Sequence, residues 1–163
     1  MTLILGIDPG PTKSGWVLYD TVTRRLEGMG ISPIHAVMEQ IDLADEVWIE
    51  DITTYSGRGA VGWHVIETCV HIGRVVQMAE IHGIAAARVT RPAVCRHLCG
   101  DPRATKPMTR EAIIDQFDPH RQFGRHGKGV SASPGPLFGV RSHIWDAVAV
   151  AQFGAEHQDG DTQ

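Results

Sequence analysis

The feature that most constrains this chain is its first apolar run, which stops at a carboxylate. Residues 3–8 read Leu-Ile-Leu-Gly-Ile-Asp, and Pro9-Gly10 follows at once. A second apolar run then covers residues 14–20. Short runs rich in Ile and Leu and bounded by Pro and Gly are typical of buried β-strands joined by a tight turn. The sequence therefore predicts a hairpin with Asp8 at the end of a buried strand.

An aspartate in that position has three interpretations. A carboxylate at the end of a buried strand is costly unless it meets a cation or a set of hydrogen-bond donors, so Asp8 is a candidate metal ligand. Aspartate before Pro-Gly is also a common turn cap. Alternatively, the backbone N–H groups of the Gly- and Ser-containing loop that follows fit a phosphate. This segment alone does not decide among the three.

The length of 163 residues fits one domain with its own core. We predict a single domain over residues 1–156 and a disordered polar tail over residues 157–163. A hydrophobic content of 42% and a charged content of 21% are those of an ordinary globular protein. No apolar run approaches the ~20 residues that a membrane span needs. The N-terminus also lacks a signal-peptide pattern, so we expect a cytoplasmic protein with no membrane segment.

Apolar periodicity divides the rest of the chain into alternating strands and helices. Further strands are predicted over residues 24–31, 46–50 and 84–89, and helices over residues 34–41, 61–79, 90–100, 108–117 and from residue 142 onward. Ser32, which precedes a Pro, is the expected N-cap of the first helix. Residues 119–140 show no periodicity and are rich in Gly and basic residues, which predicts a long flexible basic loop. Strands that alternate with helices predict an α/β fold.

Charge is unevenly distributed along the chain. The formal net charge of −4 does not by itself favour a nucleic-acid partner. Residues 88–141, however, hold ten basic and four acidic residues, a balance of +6, whereas the first sixty residues hold four basic and nine acidic, a balance of −5. Such asymmetry is typical of an enzyme that holds a polyanion beside bound cations, or of an unevenly decorated surface. Under the first interpretation, we expect phosphate contacts from Lys106, Arg110, Arg121, Arg125, Lys128 and Arg141.

Carboxylates recur at a second strand end and at the start of the last helix. Glu50 ends a predicted strand, and His143 and Asp146 are three residues apart, on one face of a helix. Together with Asp8 they form an oxygen-rich set with one imidazole, which suits Mg²⁺ or Mn²⁺ better than zinc. Taken singly, each also fits an ordinary surface or helix-terminal residue. Acids at equivalent ends of separate segments favour a shared metal site.

These motifs resemble those of a known family. Leu5-Gly6-Ile7-Asp8-Pro9-Gly10 is similar to the opening of RuvC-type Holliday junction resolvases, which have the ribonuclease H-like fold. Trp48-Ile49-Glu50 matches their second acidic strand, and residues 143–151 match their closing helix. Residues 92–114, with Lys106 before a helix, resemble the segment that precedes the penultimate helix. The lead-in over residues 134–140 looks like the divergent bacteriophage-type branch.

The resemblance implies a three-layer fold with a mixed central sheet of about five strands flanked by helices. It implies a homodimer, joined through the helix over residues 61–79, that cuts opposed strands of a four-way DNA junction in recombination and repair. Mg²⁺, with Mn²⁺ as a substitute, would be held by Asp8, Glu50, His143 and Asp146. Lys106 matches a lysine that touches the scissile phosphate. In the loop after the Glu50 strand, Tyr55 is the candidate for stacking on a base, and Arg58 is a further DNA-binding candidate.

Other functions share parts of this pattern. An actin-like phosphotransferase would use residues 8–10 to cradle ATP phosphates, but it needs two such domains, which 163 residues cannot supply. A catalytically silent nucleic-acid-binding module on the same fold is a second alternative, although the acidic set is complete. The third is a nuclease that acts on RNA–DNA hybrids or on other branched DNA, since the same metal site could cut them.

Overall fold

The computed structural model describes residues 2–52 and 61–157. The strands in this part of the chain are β1 Leu3–Asp8, β2 Ser14–Asp20, β3 Arg25–Ser32, β4 Glu46–Asp51, β5 Ala85–Thr90, β6 Gly129–Val130 and β7 Ser133–Pro134. The helices are α1 Ile34–Met38, α2 Trp63–Ile81, α3 Arg91–Cys99, α4 Lys106–Phe117 and α5 Ile144–Glu156, with a 3₁₀ turn at Ile41–Leu43. None of the described helices is long and apolar enough to cross a bilayer. Of the predicted tail over residues 157–163, only His157 is described, and the rest lies outside the described residues.

Five strands form one mixed sheet in the order β3-β2-β1-β4-β5. β1 pairs antiparallel with β2, and β2 pairs antiparallel with β3. β4 is parallel both to β1 and to β5. The carboxyl ends of β1, β4 and β5 therefore meet at one edge of the sheet, and β2 ends at the opposite edge. The predicted α/β architecture with a mixed five-stranded sheet is confirmed.

Helices cover both faces of this sheet and create two apolar cores. The core on one face gathers Leu5, Val47 and Ile49 against Ile72 and Val75 of α2. The core on the other face is built around α5, which packs on β1 and β2 and contacts α3 and α4. Because α5 lies between the sheet and those two helices, residues 144–152 are all buried.

Two glycines let α5 lie directly on the first hairpin. A Cβ atom on Gly6 of β1 would lie 2.5 Å from the Ala147 carbonyl oxygen. A Cβ on Gly15 of β2 would overlap the backbone of His143. A side chain at either position would push the helix away from the sheet. Glycine at both positions therefore allows the start of α5 to approach the carboxyl end of β1.

Two local expectations were wrong. Ser32 is the last residue of β3 and not a helix cap; its Oγ accepts a hydrogen bond of 3.3 Å from Trp16 Nε1, while Pro33 precedes α1. The basic segment over residues 119–140 is tied down by backbone hydrogen bonds and by the short β6–β7 ladder. Leu137 and Val140, both fully buried, anchor its end in the core beside α5. Sequence periodicity fails here because single apolar residues, and not a repeat, fix the loop.

Candidate metal centre

Asp8 lies at the carboxyl end of β1, where the turn through Pro9 begins. Its Oδ2 atom is 2.8 Å from Nδ1 of His143, the residue that caps the N-terminus of α5. The His143 side chain is 52% exposed, whereas that of Asp8 is 14% exposed. The imidazole therefore covers the carboxylate from the solvent side. This contact joins the first strand to the last helix, as the sequence pattern predicted.

Asp146 lies in the first turn of α5 and is 6% exposed. Arg91 Nη1 donates to its Oδ1 at 2.9 Å, and Lys106 Nζ donates to its Oδ2 at 2.8 Å. Burial alone would raise the pKa of Asp146, but the hydrogen bonds and charges of Lys106 and Arg91 bring it below its ordinary value. Asp146 is therefore held as a carboxylate in the absence of any metal.

Glu50 reaches the same sheet edge from β4. β4 is parallel to β1, and its Ile49 pairs with Ile7, so Glu50 lies beside Asp8 in the register. Burial, followed by the negative charge of Asp8, raises the pKa of Glu50 from 4.5 to about 7. The pKa of Asp8 is also raised, mainly by burial and then by the charge of Asp146. Burial and, after it, the negative charge of neighbouring carboxylates therefore disfavour the charged forms of Asp8 and Glu50 at this edge.

The donor set at this edge fits a divalent cation. Asp8, His143 and Asp146 each offer one ligand atom, and these three atoms all lie within 4.8 Å of one another. Two ligands bound at about 2.1 Å to the same Mg²⁺ ion can be at most about 4.2 Å apart. Small side-chain rotations would therefore bring all three onto one ion. Glu50 does not belong to this group of three, but it lies next to it, and its pKa is raised by burial and then by the negative charge of Asp8.

The other predicted site residues are distributed unevenly around this edge. Lys106, half exposed at the start of α4, joins the cluster through Asp146. The Arg110 guanidinium and Lys128 Nζ lie 6.0 Å and 5.7 Å from the ring centre of Trp145, the neighbour of Asp146 in α5. These distances place two of the predicted phosphate contacts beside the start of α5.

The remaining basic residues have different surroundings. Arg121 binds Glu111 at 2.5 Å and Asp115 at 2.6 Å, so its charge is already paired. Arg125 and Arg141 are exposed. Tyr55 and Arg58, the candidates for the loop after β4, lie outside the described residues, so their roles stay predictions.

Sequence reasoning missed Arg91. It follows the carboxyl end of β5, the third parallel strand of the sheet, and its guanidinium is one of the two cations on Asp146. The signal was present, since Thr90 caps the next helix by accepting a hydrogen bond of 3.2 Å from Ala93 N and so places Arg91 in the first turn. A basic residue at the end of a strand parallel to two acid-bearing strands is a candidate partner for those acids.

This fold and this edge together define a class of α/β protein, in which a mixed sheet of order β3-β2-β1-β4-β5 brings carboxylates and an imidazole to the carboxyl ends of its parallel strands. No protein-family model and no curated protein matches the sequence. Solved structures do. The structure of Thermus thermophilus RuvC matches with a TM-score of 0.64 at 18% identity, covering 96% of this chain and 97% of that chain. The structure of T. thermophilus RuvC in complex with a Holliday junction substrate matches with a TM-score of 0.65 at 18% identity, covering 97% and 95%.

At this identity the similarity establishes the fold. The chain has the RuvC-type, ribonuclease H-like architecture over nearly its whole length, which confirms the resemblance seen in the sequence motifs. The assignment to a bacteriophage-type branch and the roles of individual site residues remain predictions.

Proposed function

We propose that this protein is a divalent-metal-dependent endonuclease that cuts branched DNA, with the four-way junction as its preferred substrate. One observation carries the proposal: Asp8, His143 and Asp146 converge within 4.8 Å at the edge of a RuvC-type fold. One of the two similar structures is itself a complex with a Holliday junction. Phosphodiester cleavage by this protein would contribute to DNA recombination and repair.

Asp8, Glu50, His143 and Asp146 would hold the Mg²⁺ ions, with Mn²⁺ as a substitute. When bound, such ions polarise the scissile phosphate and lower the pKa of a water molecule, which makes it a nucleophile at neutral pH. Burial of the carboxylates beside α5 keeps their geometry fixed and limits competing water. Glu50 must lose its proton before it can bind, because its pKa is about 7 without a metal.

Lys106 has a second role in this proposal. In the described structure its ammonium group neutralises Asp146. A cation that binds Asp146 would free this ammonium group, which is half exposed and lies at the same edge, to contact the scissile phosphate. Arg91, whose side chain is 34% exposed, would stay on the other oxygen of Asp146 and keep the carboxylate oriented.

The DNA would lie across the basic residues that surround the start of α5. Arg110 and Lys128 lie near Trp145, and Arg125, in the basic segment, and Arg141, directly after it, are exposed. Tyr55 and Arg58 would extend this surface from the loop after β4, with Tyr55 stacking on a base. Arg121 contributes least, because Glu111 and Asp115 already bind its guanidinium.

The proposal includes a homodimer formed through the predicted helix over residues 61–79, which corresponds to most of α2. The side of α2 that faces away from the core exposes Trp63 (68%), Ile66 (44%), Val70 (50%) and Ile81 (68%). The opposite side buries Ile72, Val75 and Ala79 against the sheet. A second copy that covered the exposed side would remove this apolar area from water. Two copies would supply two metal centres for two opposed strands.

The decisive experiment incubates the purified protein with a labelled mobile four-way junction, an RNA–DNA hybrid and a linear duplex, each with Mg²⁺ and with EDTA. The proposal predicts paired nicks in the junction that require Mg²⁺. Preferential cutting of the hybrid would replace the junction with the alternative ribonuclease H-like substrate. Metal-dependent binding without cutting of any substrate would indicate a silent binding module and overturn the proposed activity.

A further inference from the structure

Helix α2 carries a histidine on its buried side that contacts the turn after Asp8. His71 is 6% exposed, and its Nδ1 lies 2.9 Å from the carbonyl oxygen of Gly10. These residues are 61 positions apart in sequence and belong to different layers of the fold. The contact therefore bridges α2 to the chain segment that leaves the candidate metal centre.

The chemistry of this contact fixes the proton on the ring. A carbonyl oxygen can only accept a hydrogen bond, so Nδ1 of His71 must carry the hydrogen and donate it. The other ring nitrogen, Nε2, lies 3.4 Å from Oε1 of Glu67, one turn earlier on the same helix. The imidazole therefore lies between a helix carboxylate and the backbone of the turn.

The same glycine is held from its other side as well. The Gly10 N–H donates to Oγ of Ser14 at 3.2 Å, and Ser14 is fully buried at the start of β2. Between Gly10 and Asp8 lies only Pro9, whose ring fixes its φ angle. With both peptide groups of Gly10 bonded and Pro9 rigid, the direction in which Asp8 leaves β1 is determined by these contacts.

Asp8 needs such a restraint because its neighbours repel it. Asp146 and Glu50 carry like charges at the same edge, and burial disfavours the charged form of all three. A loose turn would let the Asp8 carboxylate rotate towards solvent and leave His143. The hydrogen bonds of Gly10 to His71 and Ser14 prevent that movement without adding a charge to the metal centre.

We propose that His71 is a positioning residue that holds the turn Pro9-Gly10, and through it the Asp8 carboxylate, in the geometry that binds a divalent cation. The inference rests on the proposed function, since it gives His71 a role only if Asp8 is a metal ligand. In the proposed dimer, this histidine lies on the side of α2 opposite the interface, so removing it would not expose or cover the partner surface.

The test compares His71→Asn and His71→Leu in the full chain, with Mn²⁺ alone as the probe and electron paramagnetic resonance of free Mn²⁺ as the readout. Asparagine places an amide N–H where the imidazole Nδ1–H lies, whereas leucine fills similar space without a donor. We expect His71→Leu to weaken Mn²⁺ binding about 10-fold, as loss of a group that supports a metal ligand does. His71→Asn should retain most of the wild-type affinity.

His82→Leu is the matched control, because His82 is the C-cap residue of α2 and pairs with Asp42 away from the metal centre. It should leave Mn²⁺ affinity unchanged. Wild-type affinity in His71→Leu, or equal weakening in both His71 variants, would overturn the positioning role while the proposed nuclease stands. Absence of Mn²⁺ binding by the wild-type protein would instead overturn the proposed function and this inference with it.

A measurement on the unmodified protein covers the case in which His71→Leu does not fold. Long-range ¹H–¹⁵N correlation spectra of the imidazole report which ring nitrogen carries hydrogen. We expect a protonated Nδ1 in His71 with a hydrogen-bonded shift. A ring that is protonated at Nε2 alone would show that Gly10 is not braced by this residue, and would overturn the inference whatever the metal affinity.

Discussion

The two edges of the central sheet each carry a carboxylate at a strand terminus, but they satisfy it in different ways. At the end of β2, Asp20 is 2% exposed, and its Oδ1 accepts hydrogen bonds from the backbone N–H groups of Val22 at 2.9 Å and Thr23 at 3.3 Å. Burial alone would raise the pKa of Asp20, but these local donors bring it below its ordinary value. The hydrogen-bond donors to this carboxylate therefore come from the turn that directly follows it.

The opposite edge, at the ends of β1 and β4, is arranged differently. Asp8 is met by a side chain from the last helix, and burial together with Asp146 raises its pKa. The pKa of Glu50 is raised from 4.5 to about 7. A strand-end carboxylate that is satisfied by its own turn stabilises the fold, whereas carboxylates gathered from distant segments against their mutual repulsion indicate a site for a cation. The comparison therefore separates structural acids from candidate ligands.

The largest expected effect comes from removing a charge at the metal edge. Asp146→Asn should reduce junction cleavage more than about 100-fold, beyond the loss typical of groups that only support a metal ligand. The reason is that an amide cannot supply the negative charge that a divalent cation requires. Junction binding should persist, because the basic surface is intact. Single-turnover cleavage and a gel-shift assay in Ca²⁺ measure the two properties separately.

Asp20→Asn is the control for that experiment, since it makes the same substitution at the other edge. It should cut at close to the wild-type rate. If Asp146→Asn cut nearly as fast as Asp20→Asn in Mg²⁺, the two edges would not differ in function, and Asp146 would not be a metal ligand.

The second-largest expected effect is on the pH dependence of stability, because Glu50 should stabilise the folded protein less as the pH rises. Because folding raises the pKa of Glu50 from 4.5 to about 7, the folded state binds its proton more tightly than the unfolded state does. The contribution of Glu50 to the free energy of unfolding therefore falls as the pH rises from 4.5 to 7. Glu50→Gln, which mimics the protonated form, should be about 2–3 kcal/mol more stable than the wild type at pH 8 in EDTA.

The difference should shrink to less than about 1 kcal/mol at pH 5 and vanish well below pH 4.5, where Glu50 is protonated in both the folded and the unfolded state. Urea unfolding in EDTA at the two pH values measures the difference. Adding Mg²⁺ at pH 8 should stabilise the wild type more than the variant, because binding to the folded state raises its stability and the variant lacks the charge of Glu50. A constant difference at both pH values would mean that burial at Glu50 does not act through its charge.

The third effect extends the comparison from acids to basic residues. Arg125 is exposed, whereas Arg121 is bound to Glu111 and Asp115. Replacing a residue that contacts a phosphate lowers the slope of log affinity against log salt by about 1. Arg125→Ala should therefore reduce the salt dependence of junction binding, and Arg121→Ala should leave it unchanged. Titrations from low to moderate salt measure both slopes, and a wild-type slope in Arg125→Ala would remove Arg125 from the interface.

Much of the fold could be predicted from the sequence because it rests on local signals. The β1–β2 hairpin follows from apolar runs around Pro9-Gly10. Helix α3 was predicted over residues 90–100, and it begins after the Thr90 cap and ends before Gly100, whose φ of 72° is left-handed. Such signals depend on residues that are close in sequence.

The site could be predicted only in part, because the residues that contact one another there are far apart in the sequence. Acids at strand ends could be placed at one edge from the parallel order of the strands. Arg91 could be recognised only by the same argument, from its place at the end of a parallel strand. His71 could not, since nothing within its own segment shows that it faces Gly10. Ser32 was assigned wrongly for the same reason: its sequence context predicts a cap, but a contact with Trp16 keeps it in the strand.

The smallest expected effect concerns the structural edge itself. Asp20→Ala removes the acceptor for Val22 and Thr23 N–H, so those donors must turn to water and the start of the β2–β3 turn should loosen. The thermal midpoint should fall by about 2–4 °C, the shift typical of a modest stability loss in a chain of this size. Mn²⁺ affinity should not change, because the residue lies at the far edge of the sheet. Calorimetry with and without Mn²⁺ checks both expectations, and a change in Mn²⁺ affinity would show that the two edges are coupled and that the division between structural and ligand carboxylates does not hold.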